Sequence, residues 1–114
     1  MSIILDGPFD LSFESIERTM PKQRVGVFAI GHVDSNGVFR VQRVGRDDAD
    51  LQGRLRGMIG SGNQFKFVVV STAQEAFDLE CDLFHRFKPR GNFTHPDRPR
   101  GSSWKCDHCL QLHL

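Results

Sequence analysis

VGVFAIGHVDSNGVFRVQRVG, residues 25–45, is the stretch of sequence that decides the fold. Residues 25–33 form a run of β-branched and aromatic side chains, and residues 38–44 form a second run of the same character. Between the two runs, Asn36-Gly37 suits the positive φ angles of a tight hairpin turn. The stretch therefore predicts two neighbouring antiparallel strands joined by a short turn.

The alternation of side chains along a strand predicts which residues share a face of this hairpin. On the first strand, one face carries Phe28, Ile30 and His32. On the second strand, we expect Phe39, Val41 and Arg43 on one face, and Arg40 and Gln42 on the other.

The flanking sequence predicts three helices and a third strand. Residues 12–19 favour a short helix, and Asp47 or Asp48 can cap a second one. Residues 65–70 read as a strand, and Ser71-Thr72 begin a longer helix that Pro89 ends. The core order is ββαβα, which predicts a small α/β sandwich of the α+β class, with a mostly antiparallel three-stranded sheet flanked by helices. Residues 1–11 are expected either to add an edge strand or to cover the core.

The length of 114 residues predicts one compact unit with two appendages. Residues 1–22 are expected to form an N-terminal extension with a short helix, and residues 23–92 the domain itself. Residues 93–114 form a basic, Pro-rich tail that we expect to pack on the same domain. The sequence does not determine the oligomeric state.

Composition favours a soluble cytoplasmic protein. There is no apolar run of about 18 residues and no basic-then-apolar leader at Met1, so no membrane partner is expected. Basic residues outnumber acidic ones from residue 83 onward: Arg86, Lys88, Arg90, Arg98, Arg100 and Lys105 stand against Asp97 and Asp107. Such a segment can contact nucleic acid phosphates, or simply form a solvated surface.

Glu80 occupies an unusual place in the last predicted helix. Apolar residues recur around it at helical spacing: Ala73, Ala76, Phe77, Leu83, Phe84 and Phe87. An unpaired buried carboxylate costs several kcal/mol or becomes neutral. Glu80 is therefore expected to have a partner, either an arginine in a structural ion pair or a metal ion, unless it is a partly solvated residue at the edge of the apolar stripe.

Two tripeptides on the predicted hairpin carry a family resemblance. Gly26-Val27-Phe28 and Arg43-Val44-Gly45 are similar to the two signature motifs of the GIY-YIG nuclease superfamily. The segment of residues 51–55 resembles the family's helix with its arginine, and the helix with Ala76 and Glu80 resembles its metal-binding helix. The likeness spans roughly residues 20–95.

The resemblance implies a metal-dependent endonuclease acting on DNA. Arg54 would be the catalytic arginine, Glu80 the ligand of Mg²⁺ or Mn²⁺, and Arg46 a second positive charge; Asn92 stands where the family often has an asparagine. The basic residues expected to contact DNA phosphates are Arg43, Arg46, Arg54, Lys88 and Arg90.

This chain departs from the family pattern at the tyrosines. Phe28 and Arg43 stand where the family usually has tyrosine, and the chain contains no tyrosine at all. Neither side chain can act as a base near neutral pH. His32, two strand pairs further on, is one alternative base, with a hydrogen-bonded structural histidine as the other interpretation. A catalytically inactive module that binds nucleic acid or a protein partner is therefore a second hypothesis.

The three cysteines suggest a separate metal site. Cys106 and Cys109 have C-x2-C spacing, and Cys81 and His85 lie at positions i and i+4 of the Glu80 helix. Together they predict a structural zinc site, with His95 as an alternative ligand to His85. Reduced thiols, or a redox pair at Cys106 and Cys109, are the other interpretations.

Overall fold

The computed structural model describes residues 5–88 and residue 96. Over residues 5–88 the chain forms four strands and three helices. In chain order they are β1 (Asp6–Asp10), α1 (Phe13–Thr19), β2 (Gly26–Val33), β3 (Phe39–Asp47), α2 (Leu51–Arg56), β4 (Gln64–Val69) and α3 (Ala73–Phe87).

The sheet confirms the predicted fold class and contains one strand more than predicted. Its strand order is β1-β4-β2-β3, and every pair of neighbours is antiparallel. β1, from the segment counted as an N-terminal extension, supplies the additional edge strand by pairing with β4. Because β2 lies between β3 and β4, the connection through α2 crosses over the central strand, and β3 stays at the other edge.

The central strand β2 separates two apolar cores. Phe28 and Ile30 point toward α1 and α2, where Ile16 and Leu55 are fully buried. Val27 and Ala29 point to the opposite face, which α3 covers with a second apolar cluster. Burial on both faces explains why this strand reads as a continuous apolar run.

A β-bulge interrupts the pairing of β2 with β3. Ile30 pairs with Arg43, but the next residue, Gly31, pairs with Val41, so that Gln42 is the extra residue. The bulge reverses the alternation of β3. Val41 packs in the α3 cluster, whereas Arg43 is the partner of Ile30, whose side chain lies on the α2 face. The prediction that Arg43 shares a face with Phe39 and Val41 is therefore wrong.

Side-chain caps define the helix boundaries. Ser12 caps α1 and Thr72 caps α3; the Thr72 hydroxyl accepts a hydrogen bond from the Glu75 amide at 3.1 Å, as the capping pattern predicts. α2 begins later than predicted, because Asp50 caps it, while Asp47 accepts the Asp50 amide in the preceding turn. None of the helices within residues 5–88 is long and apolar enough to cross a bilayer.

Candidate functional site

Glu80 forms a buried ion pair with Arg46. Arg46, near the end of the edge strand β3, donates a hydrogen bond of 2.6 Å from Nη1 to Oε1 of Glu80, in the middle of α3. Their side chains are only 11% and 9% exposed. Of the two partners that the sequence analysis left open for this carboxylate, the structure therefore shows the arginine.

Among the described residues, Asp48 and Phe77 also contact the guanidinium of Arg46. Its Nε donates a hydrogen bond of 3.0 Å to Oδ1 of Asp48, and its Cζ lies 5.1 Å from the centre of the Phe77 ring. An arginine held by two carboxylates and an aromatic face loses most of its rotational freedom. Arg46 therefore holds the Glu80 carboxylate in one position.

Burial and charge act in opposite directions on this pair. Burial raises the pKa of Glu80 above its ordinary value, and the hydrogen bond and charge of Arg46 only partly offset this effect. For Arg46, burial works to lower the pKa, but the hydrogen bond and charge of Glu80, together with Asp48, raise it overall. Burial thus disfavours the ionised form of Glu80 more than Arg46 favours it.

Arg54, the other predicted arginine, lies on the opposite side of the sheet from Glu80. It lies on the last turn of α2, which packs on the core opposite α3, and its side chain is exposed. Burial has the largest influence on the pKa of Glu80, yet the charge of Arg54 also lowers it. Arg46 therefore contacts Glu80 directly, whereas Arg54 acts on the pKa of Glu80 only through its charge.

The two signature-like tripeptides meet in the structure. Phe28 and Gly45 are paired across β2 and β3, and a Cβ atom at Gly45 would lie 2.4 Å from Cζ of the Phe28 ring. The ring is buried, with 1% of Phe28 exposed. Gly45 is thus required by the close approach of this aromatic side chain, and Phe28 offers no titratable group.

His32 lies apart from Glu80. On β2, Val27 is the partner of Arg46, and His32, the partner of Arg40, stands five residues further along. At about 3.4 Å per residue this separation is roughly 17 Å. A base role for His32 remains a prediction that its placement does not support.

Carboxylate oxygens are ligands that a hard cation accepts while it keeps most of its water. The ion pair uses Oε1, and no residue within 5–88 is found hydrogen-bonded to Oε2. The described residues contain no cluster of three or more side chains that could ligate a metal. Mg²⁺ needs no such cluster, because it binds through one or two carboxylates, several waters and substrate phosphates.

Only half of the predicted zinc ligands lie among the described residues. Cys81 is buried, with 2% exposed, and His85 is half-buried, with its ring edge-on to Phe84 at 5.4 Å. The remaining residues of the predicted sites lie outside the described residues; they are Arg90, Asn92, His95, Cys106 and Cys109. The zinc site therefore remains a prediction.

Asp48 and Phe77 contact Arg46 in the structure and were not among the predicted site residues. Asp48 follows Arg46 at a spacing of two, which places both side chains on one side of an extended chain. This spacing could have predicted their contact. Phe77 precedes Glu80 by three residues and shares its helix face, but an apolar stripe gives no reason to single out one ring.

Comparison with solved structures identifies similar folds. The N-terminal GIY-YIG endonuclease domain of UvrC from Thermotoga maritima, as a tyrosine-to-phenylalanine mutant bound to the catalytic divalent cation, is 25% identical, with a TM-score of 0.54 over 73% of this chain and 100% of that one. A second such mutant is 24% identical, with a TM-score of 0.55 over 73% and 100%. The magnesium-bound domain is 24% identical, with a TM-score of 0.53 over 71% and 99%.

No protein-family model matches the chain, and no curated protein is similar to it. The structural similarity nevertheless covers most of the described residues and the whole of the compared domains. The chain thus has a GIY-YIG-like fold, as the two tripeptides predicted.

Proposed function

We propose that this chain is a divergent, metal-dependent endonuclease that acts on DNA phosphodiesters. The observation that carries the proposal is the buried carboxylate of Glu80, held by Arg46 and influenced by Arg54 at the open edge of a GIY-YIG-like fold.

Each of the three side chains has a distinct role in this proposal. Arg46 positions Glu80 through the 2.6 Å hydrogen bond and is itself held by Asp48. Arg54, exposed on α2, reaches outward to the scissile phosphate and stabilises the negative charge that develops on its oxygens. Glu80 holds the metal ion through Oε2.

A divalent cation bound at Glu80 would neutralise charge on the scissile phosphate and orient the attacking water. Two of the similar structures are tyrosine-to-phenylalanine mutants that still bind the catalytic divalent cation. In that domain, cation binding therefore does not need the mutated tyrosine. This supports Mg²⁺ or Mn²⁺ binding by a chain that has phenylalanine at position 28.

Phe28 also favours a second function. Phe28 is buried and cannot take a proton from water, and the chain has no tyrosine. A module that binds DNA, or a protein partner, without hydrolysis needs the fold and the cationic edge but no base. DNA cleavage distinguishes the two functions, because only the endonuclease hydrolyses its substrate.

The test is DNA cleavage with Mg²⁺ or Mn²⁺, on a panel of linear and branched DNAs. We expect cleavage by the parent protein, and its loss in both Glu80→Gln, which keeps a hydrogen-bond acceptor for Arg46, and Arg54→Ala. Glu14→Ala and Arg18→Ala, which change exposed residues of α1, are the matched controls and should cleave normally. Cleavage of no substrate, with salt-dependent DNA binding retained, would instead support the non-hydrolytic module.

A further inference from the structure

A second cationic feature lies at the bulge of β3, apart from the ion pair of Glu80. A groove of about 630 Å³ opens there, and no acidic side chain lines it among the described residues. Its polar and aromatic lining includes His32, Arg40, Arg43, Ser61, Phe87 and Lys88. Asp34 neutralises Arg40 at 2.7 Å, so the uncompensated charge of the groove rests mainly on Arg43 and Lys88.

The backbone is irregular at both Arg43 and Lys88. Without the bulge, Arg43 would lie on the same face as Phe39 and Val41, which pack in the α3 cluster. The bulge places Arg43 on the opposite face of the sheet. Lys88 ends α3 with φ of 46°, in the left-handed region that a lysine rarely adopts. Within residues 5–88, neither Arg43 nor Lys88 forms an ion pair. Two irregular positions thus present two uncompensated cations to one groove.

An exposed aromatic ring completes the groove. Phe87 is 42% exposed although it ends a helix whose other aromatic residues contribute to the core. The guanidinium of Arg86 lies 5.6 Å from the centre of its ring. Rings exposed beside cations are the elements on which unpaired nucleic acid bases stack while their phosphates are neutralised.

We propose that this groove binds an unpaired segment of the DNA strand, with phosphates on Arg43 and Lys88 and a base on Phe87. The inference rests on the proposed function for its choice of DNA. Phe87 lies seven residues after Glu80 on α3, about 10 Å along the helix. The unpaired segment is therefore next to the scissile phosphodiester, and the substrate class is DNA with a single-stranded region adjoining the cut.

Binding in EDTA tests the groove without requiring cleavage. The probes are a fluorescein-labelled oligothymidylate and a labelled duplex of equal length. Fluorescence anisotropy measures the binding of each probe over a range of salt concentrations. The variants are Arg43→Ala, Phe87→Ala and Lys88→Asn, the last because asparagine tolerates the left-handed conformation. Arg18→Ala, an exposed arginine outside the groove, is the matched control.

We expect the parent protein to prefer the single strand, and each groove variant to bind it roughly tenfold more weakly. Loss of Arg43 or Lys88 should also flatten the slope of log K against log salt by about 0.7, whereas Phe87→Ala should leave the slope and the duplex affinity unchanged. Equal affinity for both probes, or an equal loss in Arg18→Ala, would overturn the proposal. Because binding in EDTA needs no metal, single-strand binding by a parent protein that fails to cleave remains distinguishable from a failure of this groove.

Discussion

Arg46 and Glu80, 34 residues apart in the sequence, form a buried ion pair with a hydrogen bond of 2.6 Å between Nη1 and Oε1. The pair joins the edge strand to the helix that covers one face of the sheet. It gives Glu80 a fixed position at the sheet edge, where Arg54 also acts on it. The stability of the fold and the chemistry of the proposed site therefore depend on the same carboxylate.

Removal of Arg46 should destabilise the protein. Arg46→Met leaves the buried Glu80 carboxylate without its partner, and we expect the free energy of unfolding to fall by about 3 kcal/mol. Urea unfolding followed by circular dichroism measures this change. The double variant Arg46→Met/Glu80→Leu, which replaces the pair by apolar side chains, should recover most of the loss. A single variant as stable as the parent protein would show that the pair contributes little.

The contact of Phe28 with Gly45 should appear as coupling between the two residues. In Gly45→Ala the new methyl group meets the buried Phe28 ring, so we expect a loss of about 1–3 kcal/mol in the free energy of unfolding. Phe28→Leu/Gly45→Ala should lose less than the sum of the two single variants, as measured by a double-mutant cycle. Strictly additive losses would contradict the packing described here.

The hairpin turn should respond to acid through Asp34. The backbone hydrogen bond from Val38, and then the side chain of Arg40, hold the pKa of Asp34 below its ordinary value of 3.8. Because the folded pKa is depressed, its stabilising effect is present above about pH 4 and is lost as the pH falls through the folded pKa. The melting temperature of Asp34→Asn should therefore be below that of the parent protein near neutral pH, and the difference should narrow at acid pH. A constant difference would contradict this assignment.

The cysteines predict zinc in the purified protein. Protein prepared without added metal should contain equimolar zinc by elemental analysis, and Cys81→Ser or Cys106→Ser should lose it. Chelation should then lower the melting temperature, because the metal would link the tail to α3. Zinc-free protein, or full thermal stability after chelation, would instead favour reduced thiols or a redox pair.

The sequence predicts those elements whose boundaries are set by local chemistry. Thr72 caps its helix as expected, and Ser12 caps α1, since a hydroxyl that accepts an amide three residues later is a purely local interaction. The order of strands and helices from residue 25 onward follows for the same reason. α2 is the exception: three aspartates compete for the cap, and Asp50 takes it because Asp47 closes the preceding turn.

Features that depend on the pairing of residues far apart in the chain cannot be predicted from local sequence patterns. The bulge at Gln42 has no local signal, so strict alternation assigns Arg43 to the wrong face. For the candidate site, the sequence predicts that Glu80 needs a cation, but it cannot select Arg46 from the other basic residues. That choice is made by the antiparallel register that brings the end of β3 beside the middle of α3.

The most direct test of the central claim is an anomalous scattering map of crystals soaked in Mn²⁺. We predict a peak within bonding distance of a Glu80 carboxylate oxygen, and its absence from Glu80→Gln crystals grown and soaked in the same way. A map with no peak at Glu80, in which Arg46 remains its only cationic partner, would contradict the account and leave the pair as a structural one.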